Sequence, residues 1–159
     1  MDVRFINAFL NGTLNVLTTM AFVEPKPGKP YLKKDALASG DVSGIIGLTG
    51  SATGSMALSF SEESILKIVS NMLGEETKEI NGDITDAVGE ITNMVSGAAR
   101  KELEPLGLNI LAAIPTVVSG KGHSIKHVLG GPSIIIPFEI EEGPFVVDVC
   151  IGGMEQKAN

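Results

Sequence analysis

One uninterrupted helical pattern in the second half of the chain constrains the fold most strongly. No proline occurs between Asp83 and Leu103, and Pro105 and Gly107 follow at once. At about 100° per residue, apolar side chains gather on one side of such a helix and polar ones on the other. We therefore expect a long helix, with Asp83 as its N-cap, that must pack its apolar stripe against another layer of the protein. That stripe consists of Ile84, Val88, Ile91, Val95 and Ala98.

Strand-like segments lie on both sides of this helix. The pattern predicts a first helix over Asp2–Met20, then a proline-containing loop, and a second, short helix opened by Ser61 and closed by Gly74. Helices segregated from antiparallel hairpins predict an α+β fold, namely a two-layer α/β sandwich with an antiparallel sheet, and residues 1–159 are long enough for a single domain. The predicted strands are Tyr31–Leu37, Asp41–Thr49, Gly54–Phe60, Ile110–Val118, Ser133–Ile140 and Phe145–Ile151, with Ser119–Gly131 as a loop.

Composition excludes several classes of partner. The formal net charge is −7 and no stretch is dense in Lys and Arg, so nucleic acid is not an expected partner. No window reaches the roughly 18 apolar residues that would span a bilayer, so no membrane association is expected. The single cysteine, Cys150, falls in an apolar run and is expected to be a buried strand thiol. We therefore expect a protein of the reducing cytoplasm.

A polar stripe runs along the opposite side of the long helix. Asp86, Glu90, Asn93 and Gly97 fall within an arc of about 60°, and Gly89 lies beside them. Each glycine costs roughly 1 kcal/mol relative to alanine in a helix interior, which close approach of another backbone would explain. However, most polar stripes are simply solvated faces, and about 0.65 Glu-x-x-Asn pairs are expected by chance in this composition. Spacing alone leaves both interpretations open.

The surrounding residues carry a family resemblance. The segment Asp83–Arg100 closely resembles the signature helix of the CheC, CheX and FliY phosphatases, in which an acid, a Glu, an Asn and a small residue are displayed together. The opening helix with Phe5–Phe9, the glycine-rich strands over 47–59 and the closing Ile136–Glu139 agree with the CheX branch. The resemblance covers nearly the whole chain.

The number of sites also follows from this resemblance. CheC-type relatives carry a second Glu and Asn pair on the first helix. Here that helix offers Asn7, Asn11 and Asn15, with no glutamate before them. The resemblance therefore implies a single site, as in the CheX branch.

The resemblance implies a phosphatase that hydrolyses the phospho-aspartate of a response-regulator receiver of the CheY type. Asn93 would position the attacking water, because an amide accepts a hydrogen bond from water without adding negative charge near the phosphoryl group. Glu90 would pair with a receiver lysine. Asp86, Gly89 and Gly97 are expected to contact the receiver. The chain would need no cofactor of its own, because the receiver supplies Mg²⁺.

Three further expectations concern partners and metals. The alternative to an enzyme is a receiver-binding or adaptor module of the same fold family, although the presence of both site residues favours the enzyme. Family relatives are homodimers, so we expect a homodimer formed through exposed edges at Tyr31–Leu37 and Ser133–Ile140. His123 and His127 are four residues apart, but the segment is loop-like and offers no third ligand, so no metal site is expected.

Overall fold

Three helices pack on one face of an eight-stranded antiparallel sheet. The computed structural model describes residues 3–33, 40–123, 125 and 133–152. The helices are α1 (Val3–Ala21), α2 (Glu62–Leu73) and α3 (Gly82–Leu103). The strands are β1 (Lys26–Pro27), β2 (Tyr31–Lys33), β3 (Gly40–Gly50), β4 (Thr53–Phe60), β5 (Ile110–Ala112), β6 (Thr116–His123), β7 (Ser133–Ile140) and β8 (Gly143–Gly152).

The sheet is built from two hairpins joined side by side. The strand order is β1-β7-β8-β4-β3-β5, with β2 also pairing with β7 and β6 also pairing with β3. All these pairings are antiparallel. Alternate residues of the strands point towards the helices and join them in one core that includes Phe60, Phe145 and Val147. The predicted α+β sandwich is confirmed.

The helices begin and end for local chemical reasons. Ser61 caps α2 by accepting from the Ser64 N–H at 3.3 Å, and Gly74 ends it in the left-handed conformation with φ 71°, as predicted. Helix α3 begins slightly earlier than expected, because Asn81 is the N-cap, its Oδ1 accepting from the Ile84 N–H at 3.1 Å. The predicted N-cap Asp83 lies in the first turn. No helix among the described residues is long and apolar enough to cross a membrane.

One edge of the sheet differs from the prediction. Strands β5 and β6 run along β3 as one interrupted strand, with Ala112 opposite Leu48 and Thr116 opposite Ile45. The interval from Ala112 to Thr116 is four residues, whereas the interval between their partners on β3 is three. The extra residue forms a β-bulge, and within it the Ile114 side chain is 88 % exposed. The prediction of one continuous strand over Ile110–Val118 was therefore wrong, because the segment forms two strands separated by a bulge.

The predicted loop Ser119–Gly131 was wrong at its start, because β6 continues to His123. Further pairing with β3, including Ser119 opposite Val42 and His123 opposite Gly40, extends the strand. Residues 124 and 126–131 of that loop lie outside the described residues. The two-residue strand β1 also replaces part of the predicted proline-containing loop.

The other edge corrects the expected exposure of Ser133–Ile140. Strand β7 is interior, because β8 pairs along one side of it while β1 and β2 pair along the other. The exposed edge is β2, where Tyr31 and Leu32 are about half exposed. The Lys33 ammonium holds this edge by a 2.8 Å ion pair with the buried Asp148 carboxylate. The rest of the predicted Tyr31–Leu37 strand, from residue 34, lies outside the described residues.

Helix α3 is positioned by close contacts on two sides. A Cβ at Gly44 of β3 would lie 2.0 Å from the Thr92 hydroxyl, so only glycine lets the helix approach this strand so closely. On the other side, a Cβ at Gly12 of α1 would lie 3.1 Å from the Val95 carbonyl oxygen. These two contacts fix the rotation of α3, and hence the direction of its outer face.

Candidate functional site

The outer face of α3 carries the side chains that the sequence analysis selected. Asp86, Glu90 and Asn93 are exposed, whereas their neighbours Ile91 and Thr92 are fully buried. Thr92 donates its hydroxyl proton to the Val88 carbonyl at 2.7 Å within the helix. The buried and exposed residues alternate as the helical pattern predicts, so the carboxylate of Glu90 and the amide of Asn93 project from the same side.

These polar groups are not used by the fold. Among the described residues, the side chains of Asp86, Glu90 and Asn93 form no hydrogen bond or ion pair with another protein group. Glu90 and Asn93 lie one turn apart, with a rise of about 4.5 Å between them. A carboxylate and an amide held this close on a rigid helix can together bind one cation and one water molecule of a partner.

The two glycines of the stripe occupy different surroundings. Apart from the backbone of its own helix, a Cβ at Gly97 would have no described atom within 4 Å, so the space above it is open. A Cβ at Gly89 would lie 3.5 Å from a methyl group of Val117 in β6, which is an ordinary packing distance. The fold therefore requires glycine at neither position. Packing within the described structure does not explain why α3 has glycine at position 97, where alanine would make the helix more stable.

The exposed face is acidic in the first half of α3 and mixed in charge at its end. Asp83, Asp86 and Glu90 lie in the first half, and Arg100 and Lys101 lie in the last turn beside Glu102. This order complements the helix dipole, which favours anions near the N-terminus and cations near the C-terminus. Asn93 lies between Glu90 and Arg100 along the helix.

The neighbouring elements that the structure describes leave this face exposed. Helix α1 lies on one side, with the exposed asparagines Asn7, Asn11 and Asn15. The amide of Asn11 donates a hydrogen bond to a carboxylate oxygen of Glu102 at 2.9 Å. On the other side, the bulged edge presents Ile114. A protein partner could reach α3 between these two borders.

A groove lies beside the end of α3 and was not predicted from the sequence. It has a volume of about 320 Å³ and lies between the last turns of the helix and residues 108–111. Arg100 lines it, and the Nε of this side chain is buried without a hydrogen-bond partner. Periodicity could have indicated Arg100, which follows Asn93 by seven residues, but its missing partner was visible only in the structure.

The histidine predicted not to bind metal has another role. Nε2 of His123 lies 2.6 Å from the Ser43 hydroxyl, and Nδ1 lies 2.8 Å from the Gly120 carbonyl oxygen. Nε2 therefore joins the end of β6 to β3, whereas the contact of Nδ1 lies within β6. His127 lies outside the described residues. Within the described part of the chain, no three His, Cys, Asp or Glu side chains are grouped as a metal site.

Comparison with known proteins places this arrangement among chemotaxis proteins. The family model described as Chemotaxis phosphatase CheX matches residues 42–139, which include all of α3. The chain is 36 % identical to the CheY-P phosphatase CheX of Thermotoga maritima over 127 residues, covering 79 % of this chain and 82 % of the relative.

Solved structures agree with this comparison. A CheC-like superfamily protein from Shewanella sp. PV-4 superposes with a TM-score of 0.91 at 50 % identity, covering 96 % of this chain and 100 % of the other. The structure of the CheX–CheY–BeF3–Mg²⁺ complex from Borrelia burgdorferi gives a TM-score of 0.78 at 28 % identity, covering 92 % and 97 %. This last structure therefore contains a CheX protein in complex with CheY.

Proposed function

The chain belongs to the CheX family of chemotaxis phosphatases, and from this premise we propose that it hydrolyses the phospho-aspartate of a CheY-type receiver at the outer face of α3. The observation that carries the proposal is the pairing of Glu90 and Asn93. Both side chains are exposed, both lack partners among the described residues, and one helical turn separates them. We assign them as the catalytic residues.

Asn93 acts by positioning water. Its amide oxygen accepts a hydrogen bond from a water molecule placed in line with the bond between phosphorus and the aspartate oxygen. Attack by water forms a new phosphorus–oxygen bond as that bond breaks. The aspartate leaves as a carboxylate, and the protons of the water remain with the inorganic phosphate or pass to solvent. No nucleophilic side chain of this protein is needed.

Glu90 acts by fixing the partner. Its carboxylate pairs with the receiver lysine, and a charge-assisted hydrogen bond of this kind sets the docking register. Asp86 adds negative charge one turn earlier, while Gly89 and Gly97 let the receiver backbone approach the helix. We assign Mg²⁺ to the receiver, as the composition of the Borrelia complex suggests, so the protein requires no metal of its own.

The direct test measures loss of receiver phosphate. Cytoplasmic receivers from the same cell are phosphorylated with a small-molecule donor, the donor is removed, and decay is followed with and without this protein. We expect faster decay for the cognate receiver and an unchanged rate for the others. Stable binding of a receiver whose decay rate stays unchanged would instead identify the adaptor module, which is the alternative function.

Gly97 provides an independent test of close approach. We expect Gly97→Ala to raise the thermal stability, since alanine is favoured over glycine by roughly 1 kcal/mol in a helix interior and nothing obstructs the new methyl group. The same variant should lower kcat/KM for the phosphorylated receiver, because the methyl group separates the two backbones. Gly82→Ala, in the open first turn of α3, is the matched control and should leave kcat/KM unchanged.

We also propose a homodimer that pairs two β2 edges, with each 159-residue chain acting as one domain. Light scattering should give twice the chain mass of 16.6 kDa. Leu32→Glu should produce monomers, because it places charge on the exposed apolar edge. Leu73→Glu, at an equally exposed apolar position on α2, should leave the mass unchanged. A monomeric wild-type protein at micromolar concentration would contradict this arrangement.

A further inference from the structure

We propose that Arg100 is an anchor for the receiver, binding a carboxylate from the partner in the groove between α3 and residues 108–111. This inference rests on the proposed function and adds a second contact point to it. The groove is formed by Gly97 and Arg100 on the helix and by Leu108, Asn109 and Leu111 opposite. Its volume of about 320 Å³ is sufficient for a side chain of a partner.

The guanidinium of Arg100 lacks the partners that this group normally has. The side chain is half-buried, its Nε has no hydrogen-bond partner, and it forms no ion pair with any described residue. Glu104 lies one turn further along and also lines the groove, yet does not pair with it. Glu102 accepts from Asn11 on α1 instead.

A buried donor without an acceptor is costly to the free protein. The Nε–H of Arg100 is out of contact with solvent, and no described residue accepts a hydrogen bond from it. A carboxylate could accept from Nε and a terminal nitrogen in a planar, bidentate pair, which is the geometry that arginine provides and lysine does not. The free protein thus holds an arginine ready for an anion that it does not itself supply.

The position of Arg100 indicates that the receiver supplies the carboxylate that binds in the groove. Seven residues after Asn93 correspond to about 10 Å along the helix and nearly the same direction from its axis. A protein interface buries roughly 800 Å² of each partner, so a receiver whose phosphoryl group reaches Asn93 also covers Arg100. The phosphoryl group cannot occupy both places, which leaves a carboxylate of the receiver surface as the anion.

Two charges of opposite sign would then fix the docking geometry. Glu90 binds a cation of the receiver, and Arg100 binds an anion ten residues, or about 15 Å, further along the same helix. One contact alone would allow the receiver to rotate about Asn93. Two contacts hold the phosphoryl group in line with the water, and their order excludes receivers with the opposite charge arrangement.

The experiment compares Arg100→Gln with Lys67→Gln, which removes the same charge from an exposed position on α2, outside the groove. Binding of the BeF3-activated cognate receiver is measured by calorimetry at several salt concentrations, together with kcat and KM for dephosphorylation. We expect Arg100→Gln to raise Kd and KM about 10-fold or more and to weaken the dependence of Kd on salt. The same variant should also lower kcat, because a receiver held by one contact can rotate about Asn93. Lys67→Gln should change Kd less than threefold.

A structural role for Arg100 would give a different result. Because its Nε has no partner, Arg100→Gln should keep or raise the melting temperature while it weakens binding. If the glutamine variant does not fold, Arg100→Lys replaces it, with several-fold weaker binding expected because the bidentate pair is lost.

The outcomes separate this inference from the proposed function. Wild-type kinetics and affinity in Arg100→Gln, equal losses in both glutamine variants, or full affinity in Arg100→Lys would overturn the anchor while leaving the phosphatase intact. A wild-type protein that neither binds nor dephosphorylates any receiver would overturn the proposed function itself.

Discussion

Replacing Asn93 by alanine is expected to remove the acceleration of receiver dephosphorylation, lowering kcat about 100-fold or more. The reason is that the receiver already carries the metal and the phosphoryl group, so an in-line water is the ingredient that this protein adds. The Asn93 side chain is exposed and forms no hydrogen bond with any described residue, so the variant should fold and melt like the wild type. Single-turnover decay of the phosphorylated receiver, at saturating protein, measures the effect directly.

Affinity separates this effect from a binding defect. Calorimetry with the BeF3-activated receiver should give nearly the same Kd for Asn93→Ala and for wild type. Asn15→Ala, which removes an equally exposed asparagine from α1, serves as the matched control and should keep full activity. A fully active Asn93→Ala protein would reject the assigned water-positioning role and would favour a mechanism that depends on docking alone.

Replacing Glu90 by alanine is expected to reduce both binding and turnover. Loss of a charge-assisted hydrogen bond costs about 1.5–3 kcal/mol, which corresponds to a decrease of roughly 10-fold to 150-fold in kcat/KM. Unlike Asn93→Ala, this variant should also raise Kd for the BeF3-activated receiver, because the receiver lysine loses its partner. Kd from calorimetry and kcat/KM from initial rates are the two measurements.

Two further variants test the charge of Glu90. Glu90→Gln keeps the size and the polar end but removes the charge, and we expect it to resemble Glu90→Ala in affinity. Glu141→Ala removes an exposed carboxylate at the β7–β8 turn and controls for the change in net charge. Normal affinity in Glu90→Gln would show that charge pairing with the receiver is not the role of this residue.

Local patterns correctly predicted the elements that depend on local chemistry. The spacing of Ile84, Val88, Ile91 and Val95 placed the buried stripe of α3, and Ser61 with Gly74 gave the limits of α2. These predictions succeeded because helical periodicity and capping involve residues within a few positions of one another. The exposure of Glu90 and Asn93 on one face followed from the same periodicity.

Predictions about the sheet edges failed where distant segments decide the outcome. Ser133–Ile140 was predicted from the sequence as an exposed edge strand. However, β1 and β2, whose residues precede their partners by a hundred positions or more, pair with its free side. The bulge that exposes Ile114 is likewise defined only by the register with β3. A strand sequence does not reveal which of its two sides another strand will occupy.

The long helix α3 shows most clearly which properties follow from the sequence and which from the tertiary structure. Its sequence determined that Glu90 and Asn93 project from one face and, through the family resemblance, what chemistry they suit. Only the tertiary structure decided that Gly44 and Gly12 hold this face towards solvent. It likewise decided that Arg100, on the same helix, has no partner among the described residues. The physical reason is that side-chain direction is a local property of the backbone, whereas burial and pairing depend on segments that meet only when the chain folds.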